Sequence, residues 1–356
     1  MNEILPHDNI PDFSWRKIFL PVAFGVGVSL YLIVSNFNPS ALSKISFSTQ
    51  LLSGLLLAIL AVIVRDVAYI YRIHEITGKK LSWFSSFEVV MLWEFGSAVT
   101  PGAVGGVALA LFILKKEGIS FGRSTATILF TTLLDNMAFV LVFTVLYLML
   151  GNSMFVVSSD CADLQGHVIM QGIRNLASKA WIGFAVVAGA GVLLWFSLFV
   201  IPNTARNVLY KLSTFKFLLR FQNALTHLGN EILITSQEFQ TLPLSKWLKV
   251  LSATIVSWMA RYALANALIF AFATLPLHQL EIFSRQYVLW VFLMIPSTPG
   301  ASGLAEISFM AMNCEYIPVG LSATVALVWR VYSYYLYLIV GAITLPRWLK
   351  RVGPTT

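Results

Sequence analysis

Seven ionisable side chains stand inside otherwise apolar stretches of this 356-residue chain: Arg65, Asp66, Glu94, Asp135, Arg261, Glu306 and Arg330. A charge in hydrocarbon is costly, so residues of this kind pair with one another or serve an ion or headgroup. Arginine offers a planar fork of donors that grips phosphate or carboxylate through two bonds. The acids Glu94 and Glu306 could carry protons, take up a substrate amine or hold the arginines in place. Four acids against three arginines allow near-complete pairing, so a structural ion-pair network and an anion site both remain open. Arg65 and Asp66 are neighbours and face different directions on a helix, so they are not expected to pair with each other. Arg65 also sits where its span ends, within reach of the interface.

A second pattern gives these charges a place to converge. Thr100-Pro101-Gly102-Ala103-Val104-Gly105, followed by Gly106, lies at the middle of an apolar run over 87–114. Thr298-Pro299-Gly300-Ala301-Ser302-Gly303 lies at the middle of another over 287–312. Proline and glycine together stop a helix. Two broken hydrophobic segments in corresponding positions of two halves mark the binding site of a repeat-built transporter. After each break a half-helix starts, and its free N–H groups and positive dipole end attract phosphate or carboxylate. The expected substrate-binding set is therefore Thr100, Pro101, Gly102, Gly105, Gly106, Thr298, Pro299, Gly300 and Gly303. Around them stand Arg65, Arg261, Arg330, Glu94, Asp135 and Glu306.

The elements that must carry this set are membrane spans. The chain is 58% hydrophobic and 11% charged, with mean hydropathy +0.78, where soluble domains are about 25% charged. Spans are expected at 17–37, 51–71, 124–150, 180–201, 247–274 and 319–345, each near the ~20 residues a helix needs to cross. The fold class is an all-α integral membrane protein with six spanning helices and two re-entrant broken hairpins. The start is polar and lacks a small-residue cleavage site, so the first span is expected to remain as an anchor.

The net charge of +8 is concentrated in short loops, which speaks for the positive-inside rule rather than for nucleic acid. With both broken segments re-entrant, one face collects most of the lysines and arginines, while the other holds Lys44, Arg174, Lys179 and Arg285. That bias puts both termini in the cytoplasm of a plasma (inner) membrane protein. It also orients the hairpins oppositely, so 51–150 and 247–345 read as inverted-topology repeats inside one membrane domain over 18–345. Tails occupy 1–17 and 346–356. The connector over 202–246 repeats apolar residues near helical spacing, either lying on the membrane or covering the bundle.

Other patterns carry less. His7, His74, His167, His227 and His278 are scattered over loops without metal-ligand spacing, so no metal and no cofactor are expected. Cys161 and Cys314 fall on the outer face, where a disulfide is permitted but not required. Trp15, Trp83, Trp181, Trp247 and Trp348 read as interface anchors. No nucleophile–base arrangement or nucleotide loop is present, so the chain is not expected to be an enzyme.

The Thr100–Gly106 motif, the stretch Pro296-Ser297-Thr298-Pro299-Gly300-Ala301-Ser302-Gly303-Leu304-Ala305-Glu306, and Arg330-Val331-Tyr332-Ser333-Tyr334-Tyr335 resemble the transmembrane region of lysylphosphatidylglycerol synthases, the flippase-like or UPF0104 group. The resemblance implies a membrane protein that moves or presents lipids, as that region does with aminoacylated phosphatidylglycerol in the fused synthases. Some stand-alone relatives are tied to polyprenyl or hopanoid lipids. Where the family commonly has an acid after the first Gly-Gly, this chain has Val107. Where it has Glu-Arg before the following Asp, this chain has Thr131 and Thr132 before Asp135. The resemblance is to the transmembrane region alone, without the synthase domain, so lysine transfer is not expected of this chain. The expected partner is an anionic lipid in the membrane. A non-transporting scaffold for a lipid or cell-envelope enzyme is the alternative, and the oligomeric state is open.

Overall fold

The computed structural model describes residues 47–353, apart from 101–102, 158–160, 162–166, 274–276 and 295–297, together with Gly27, Tyr31, Val34 and Ser40. The expected first span at 17–37 lies outside the described residues but for three isolated positions, and so do Pro101 and Gly102 of the expected site. The regular elements are helices, and five of them are long and apolar enough to cross a membrane. This is an all-α membrane protein.

The centre of the bundle is a pair of long helices, α1 (Thr49–Ile76) and α9 (Leu244–Phe272). Ser48 starts α1 by accepting a hydrogen bond from the Leu51 amide at 3.1 Å, which satisfies one of the orphan donors of a helix start. Contacts at both ends and the middle show the two helices running antiparallel. Gln50 donates to the Ala273 carbonyl, Ser257 to the Arg65 carbonyl, and Arg72 to Thr254. Small residues set the close approach: a Cβ on Gly54 would stand 2.5 Å from the Ala271 side chain. Between helices in lipid there is no hydrophobic driving force, so this intimate contact and the interhelical hydrogen bonds hold the pair.

Two broken segments insert beside this pair. α2 (Trp83–Val99) and α3 (Ala103–Lys116) fold back on each other after Thr100. Gly96 faces Leu109 and Gly106 faces Ser97, a register that only antiparallel arms give. α10 (Gln279–Leu293) and α11 (Leu304–Asn313) form the second hairpin, with Arg285 donating to the Met312 carbonyl at its base. The first hairpin opens at the end of the bundle where α1 finishes, and the second at the end where α9 finishes. They therefore insert from opposite ends.

Each hairpin packs on the closing helix of the other half. α4 (Phe121–Leu150) touches α10 through Phe139 against Tyr287 and Trp290. α5 (His167–Ser178) and α6 (Ala180–Phe199) follow, then α7 (Pro202–Ser213) and α8 (Gln222–Gln240). The last span runs through α12 (Ser322–Arg330), a π turn over Val331–Tyr335 and α13 (Leu336–Val352). α13 lies on α2, where a Cβ at Gly341 would strike the Phe95 ring.

Several sequence expectations change. α1 continues to Ile76 rather than ending at Tyr71, because Thr77 closes its last turn by donating to the Ile73 carbonyl. Residues 151–179, between the expected spans at 124–150 and 180–201, contain α5, whose Met170, Ile173 and Ala177 are buried in the core. The connector is two helices. Its α8 covers the bundle, with Phe239 stacked on Phe130 at 3.9 Å and Gln240 donating to the Leu198 carbonyl. Trp348 is not an interface anchor: it is fully buried and donates to Glu117. His74 is buried too, stacked on Trp83 at 4.2 Å. Cys161 and Cys314 form a disulfide that ties the loop before α5 to the base of the second hairpin.

Candidate functional site

The helices bring five of the seven intramembrane charges into one continuous network. Arg65 pairs with both Asp66 (2.9 Å) and Glu94. The expectation that Arg65 and Asp66 stay apart is therefore wrong: the long guanidinium stem folds back along the helix, and Asp66 is shared with the Tyr337 hydroxyl at 3.0 Å. Glu94 also accepts from Arg261 at 2.9 Å. Arg261 lies over the Trp258 ring, whose indole N–H donates to Asp135 at 2.7 Å. Asp135 in turn pairs with Arg72.

Arg72 falls just beyond the span expected at 51–71 and so is missing from the seven charges picked out by sequence. It is buried and faces inward. The signal that could have found it is spacing: Arg65, Tyr69 and Arg72 are i, i+4 and i+7 on one helical face. With Arg72 included, the four arginines Arg65, Arg72, Arg261 and Arg330 balance the four acids Asp66, Glu94, Asp135 and Glu306.

The second hairpin has its own pair. Arg330 Nε reaches Glu306 at 2.7 Å, with side-chain exposures of 4% and 0%. Arg330 also donates to the Gly300 carbonyl at 2.9 Å and to Ser302 at 3.2 Å. The tip itself is a tight double turn. The Ala301 amide donates to the Thr298 carbonyl, and Pro299-Gly300 occupy the middle, with Gly300 at φ 60°. Proline then glycine suit those positions because one presets φ and the other accepts a positive φ. A Cβ at Gly300 would collide with the Tyr334 ring. Gly303, at φ 93°, donates its amide to Glu306 Oε2 at 2.6 Å. The expected free amide tip of this half-helix is thus met by the chain's own carboxylate, which takes the place of an incoming anion.

A cavity of about 490 Å³ opens between the hairpin tips. Thr100 lines it from one hairpin, and Thr298, Gly300 and Ala301 from the other. Arg72, Glu94, Asp135 and Arg261 project onto its walls. Val107 and Thr132 line it as well. A smaller pocket of about 190 Å³ shares Glu94, Ser97, Arg261 and Gly300 and extends to Arg330, Ser333 and Tyr334. Arg261 keeps 36% of its side chain exposed, against 5% for Arg65 and 3% for Arg72. It is the network arginine with most room to change partner. Glu306 and Arg65 do not line the large cavity; Arg65 holds Glu94, which does, and Glu306 holds Arg330, which lines the smaller pocket.

Residues 18–341 match the family model described as "Lysylphosphatidylglycerol synthase TM region". The chain is similar to a "UPF0104 membrane protein" of Archaeoglobus fulgidus, 23% identical over 273 residues, which is 75% of this chain and 77% of that protein. No solved structure matches. Two hairpins facing one charged chamber inside a multi-pass bundle, and a family match over most of its length, carry one conclusion: the chain belongs to the lysylphosphatidylglycerol synthase transmembrane-region family.

Proposed function

We propose that the protein is a flippase-like transporter that moves or presents a phosphate-bearing lipid, either a phospholipid or a polyprenyl phosphate, across the plasma membrane. The observation that carries this reading is the single polar chamber shared by the tips of two hairpins that insert from opposite ends. The antiparallel α1–α9 pair and the reciprocal hairpin packing support inverted repeats over 51–150 and 247–345, an architecture suited to exposing one site to each side in turn. The basic residues gather at the end where α1 finishes and α13 ends, which supports cytoplasmic termini. Arg261 is the residue assigned to the phosphate, exchanging Glu94 for the headgroup as the lipid enters.

The test is translocation of fluorescent phosphatidylglycerol and of a labelled polyprenyl phosphate by pure protein in proteoliposomes. Arg261→Ala is expected to slow translocation by about 100-fold, the loss of one charge-assisted pair of roughly 3 kcal/mol, while elution remains monodisperse. Wild-type protein that moves neither lipid removes the transporter reading. The complete internal pairing of the charges favours a second reading, a scaffold that holds a lipid or a cell-envelope enzyme without moving either. Retention of lipid through purification with no translocation would select it.

A further inference from the structure

The chamber does not end at its charged walls. Asn136, one residue beyond Asp135 on α4, lines the polar cavity and also lines a second, apolar groove of about 500 Å³ on the outside of the bundle. That groove runs between α4 and α6, with Val140, Leu141 and Val145 on one side and Ala188 and Val192 on the other. Of the five spanning helices described, α6 is the least enclosed, so the α4–α6 seam faces lipid. A glycine lets the two helices approach closely at this point: Gly191 faces Asn136, and a Cβ there would stand 2.6 Å from Asn136 Oδ1. Asn136 Oδ1 is itself buried and accepts no hydrogen bond. A buried acceptor left unmet is costly, so this atom is a place for a donor supplied by a ligand.

Resting on the transporter reading, we propose that the α4–α6 groove holds one hydrocarbon chain of the lipid whose headgroup occupies the chamber, with Asn136 at the junction accepting from a headgroup hydroxyl. An amphiphile whose polar end enters a charged cavity must leave its chain on an apolar path that begins at the same point. This groove is such a path, contiguous with the chamber through a single side chain. It offers room along one seam, so one chain is recognised and a second stays in bulk lipid. The substrate class is an anionic amphiphile with a hydroxyl-bearing headgroup and at least one long chain. The headgroup enters sideways through this seam.

Binding to purified protein separates these claims, with lysophosphatidylglycerol, diacyl phosphatidylglycerol and glycerol 3-phosphate as probes. The one-chain and two-chain lipids are expected to bind within about threefold of each other, and glycerol 3-phosphate to compete at least about 100-fold more weakly. Ala188→Trp and Val145→Trp, which fill the groove from its two walls, are expected to weaken lipid binding about tenfold by steric exclusion. Leu60→Trp, on the exposed face of α1, should leave it unchanged. A diazirine on the lysolipid chain should label peptides of α4 and α6 in wild-type protein, a readout independent of how the variants fold. Competition by glycerol 3-phosphate on a par with the lipids overturns the chain site. So does wild-type-like binding in both tryptophan variants, or labelling outside α4 and α6. If Arg261→Ala abolishes binding in that case, the chamber reading survives alone; if it too binds normally, both readings fall.

Discussion

The two hairpins share a tip sequence and differ in what holds them. The second is held mainly by residues near it in the chain. Its acid Glu306 sits three residues past Gly303, receives that amide, and meets Arg330 from α12. Its base is fastened by Arg285 to Glu315 at 2.5 Å, by Tyr316 donating to Glu281 at 2.7 Å, and by the Cys161–Cys314 disulfide. The first hairpin is held from elsewhere. Its acid Glu94 lies in the arm before the tip and reaches Arg65 on α1 and Arg261 on α9. Its base is gripped by Arg351 of α13, which pairs with Glu88 and Glu117. The difference teaches that one tip is a fixed wall of the chamber. The other is joined to the long central helices by ion pairs that face the cavity and can exchange partners.

The largest contrast is between the two hairpin acids. Glu306→Gln leaves Arg330 buried without its charge partner, a loss of about 3–5 kcal/mol, and little folded protein should elute from a sizing column. Glu94→Gln leaves Arg65 with Asp66 and Arg261 partly solvated, so its cost is about 1–2 kcal/mol and the protein should remain monodisperse with its transport impaired. Equal instability in the two variants would break the distinction drawn between wall and exchangeable partner.

Next in size is the disulfide. Cys161 and Cys314 are 153 residues apart, and cross-links over long loops contribute about 2–4 kcal/mol. A Cys161→Ser, Cys314→Ser double variant should melt several degrees lower in detergent while the first hairpin keeps its protease resistance. Cleavage appearing first in 83–116 would contradict an effect local to the second hairpin.

The smallest effect concerns the cover helix. Glu231 on α8 lies at the edge of the bundle near His227 at 3.5 Å, and burial raises its carboxyl above the usual range. A raised acid favours the folded state most when protonated. That contribution is full below the ordinary carboxylate range and is lost as pH rises through the elevated value. Glu231→Gln should therefore raise the melting midpoint by about 1–2 °C at pH 8 and leave it unchanged at pH 4. A variant that melts lower at pH 8 would show that the carboxylate is stabilised there instead.

How much was legible follows from particular residues. The broken segments could be read because Pro and Gly act on the backbone directly, whatever surrounds them. Arg72 was missed, since apolar content falls away at Tyr71 while the helix itself runs on to Ile76, and only the i, i+4, i+7 spacing with Arg65 and Tyr69 marks it. Trp348 looked like an anchor because its place near the chain's basic end matched that role, yet Glu117 at the base of the first hairpin supplies the partner that draws it inside. The Arg65–Asp66 contact was denied by helical direction alone, which ignores how far a flexible guanidinium can bend.

Composition and local backbone chemistry, then, determined the class of protein, five of its spans and the two places where a helix must break, because these depend on each residue's own transfer cost and torsional limits. Which arginine meets which acid, which half-helix tip is met by its own carboxylate, and which helices leave a seam beside Asn136 were decided only when α1 and α9 paired and the hairpins inserted beside them. Partners hundreds of residues apart are set by where packed helices place them, and spacing along the chain carries no record of that.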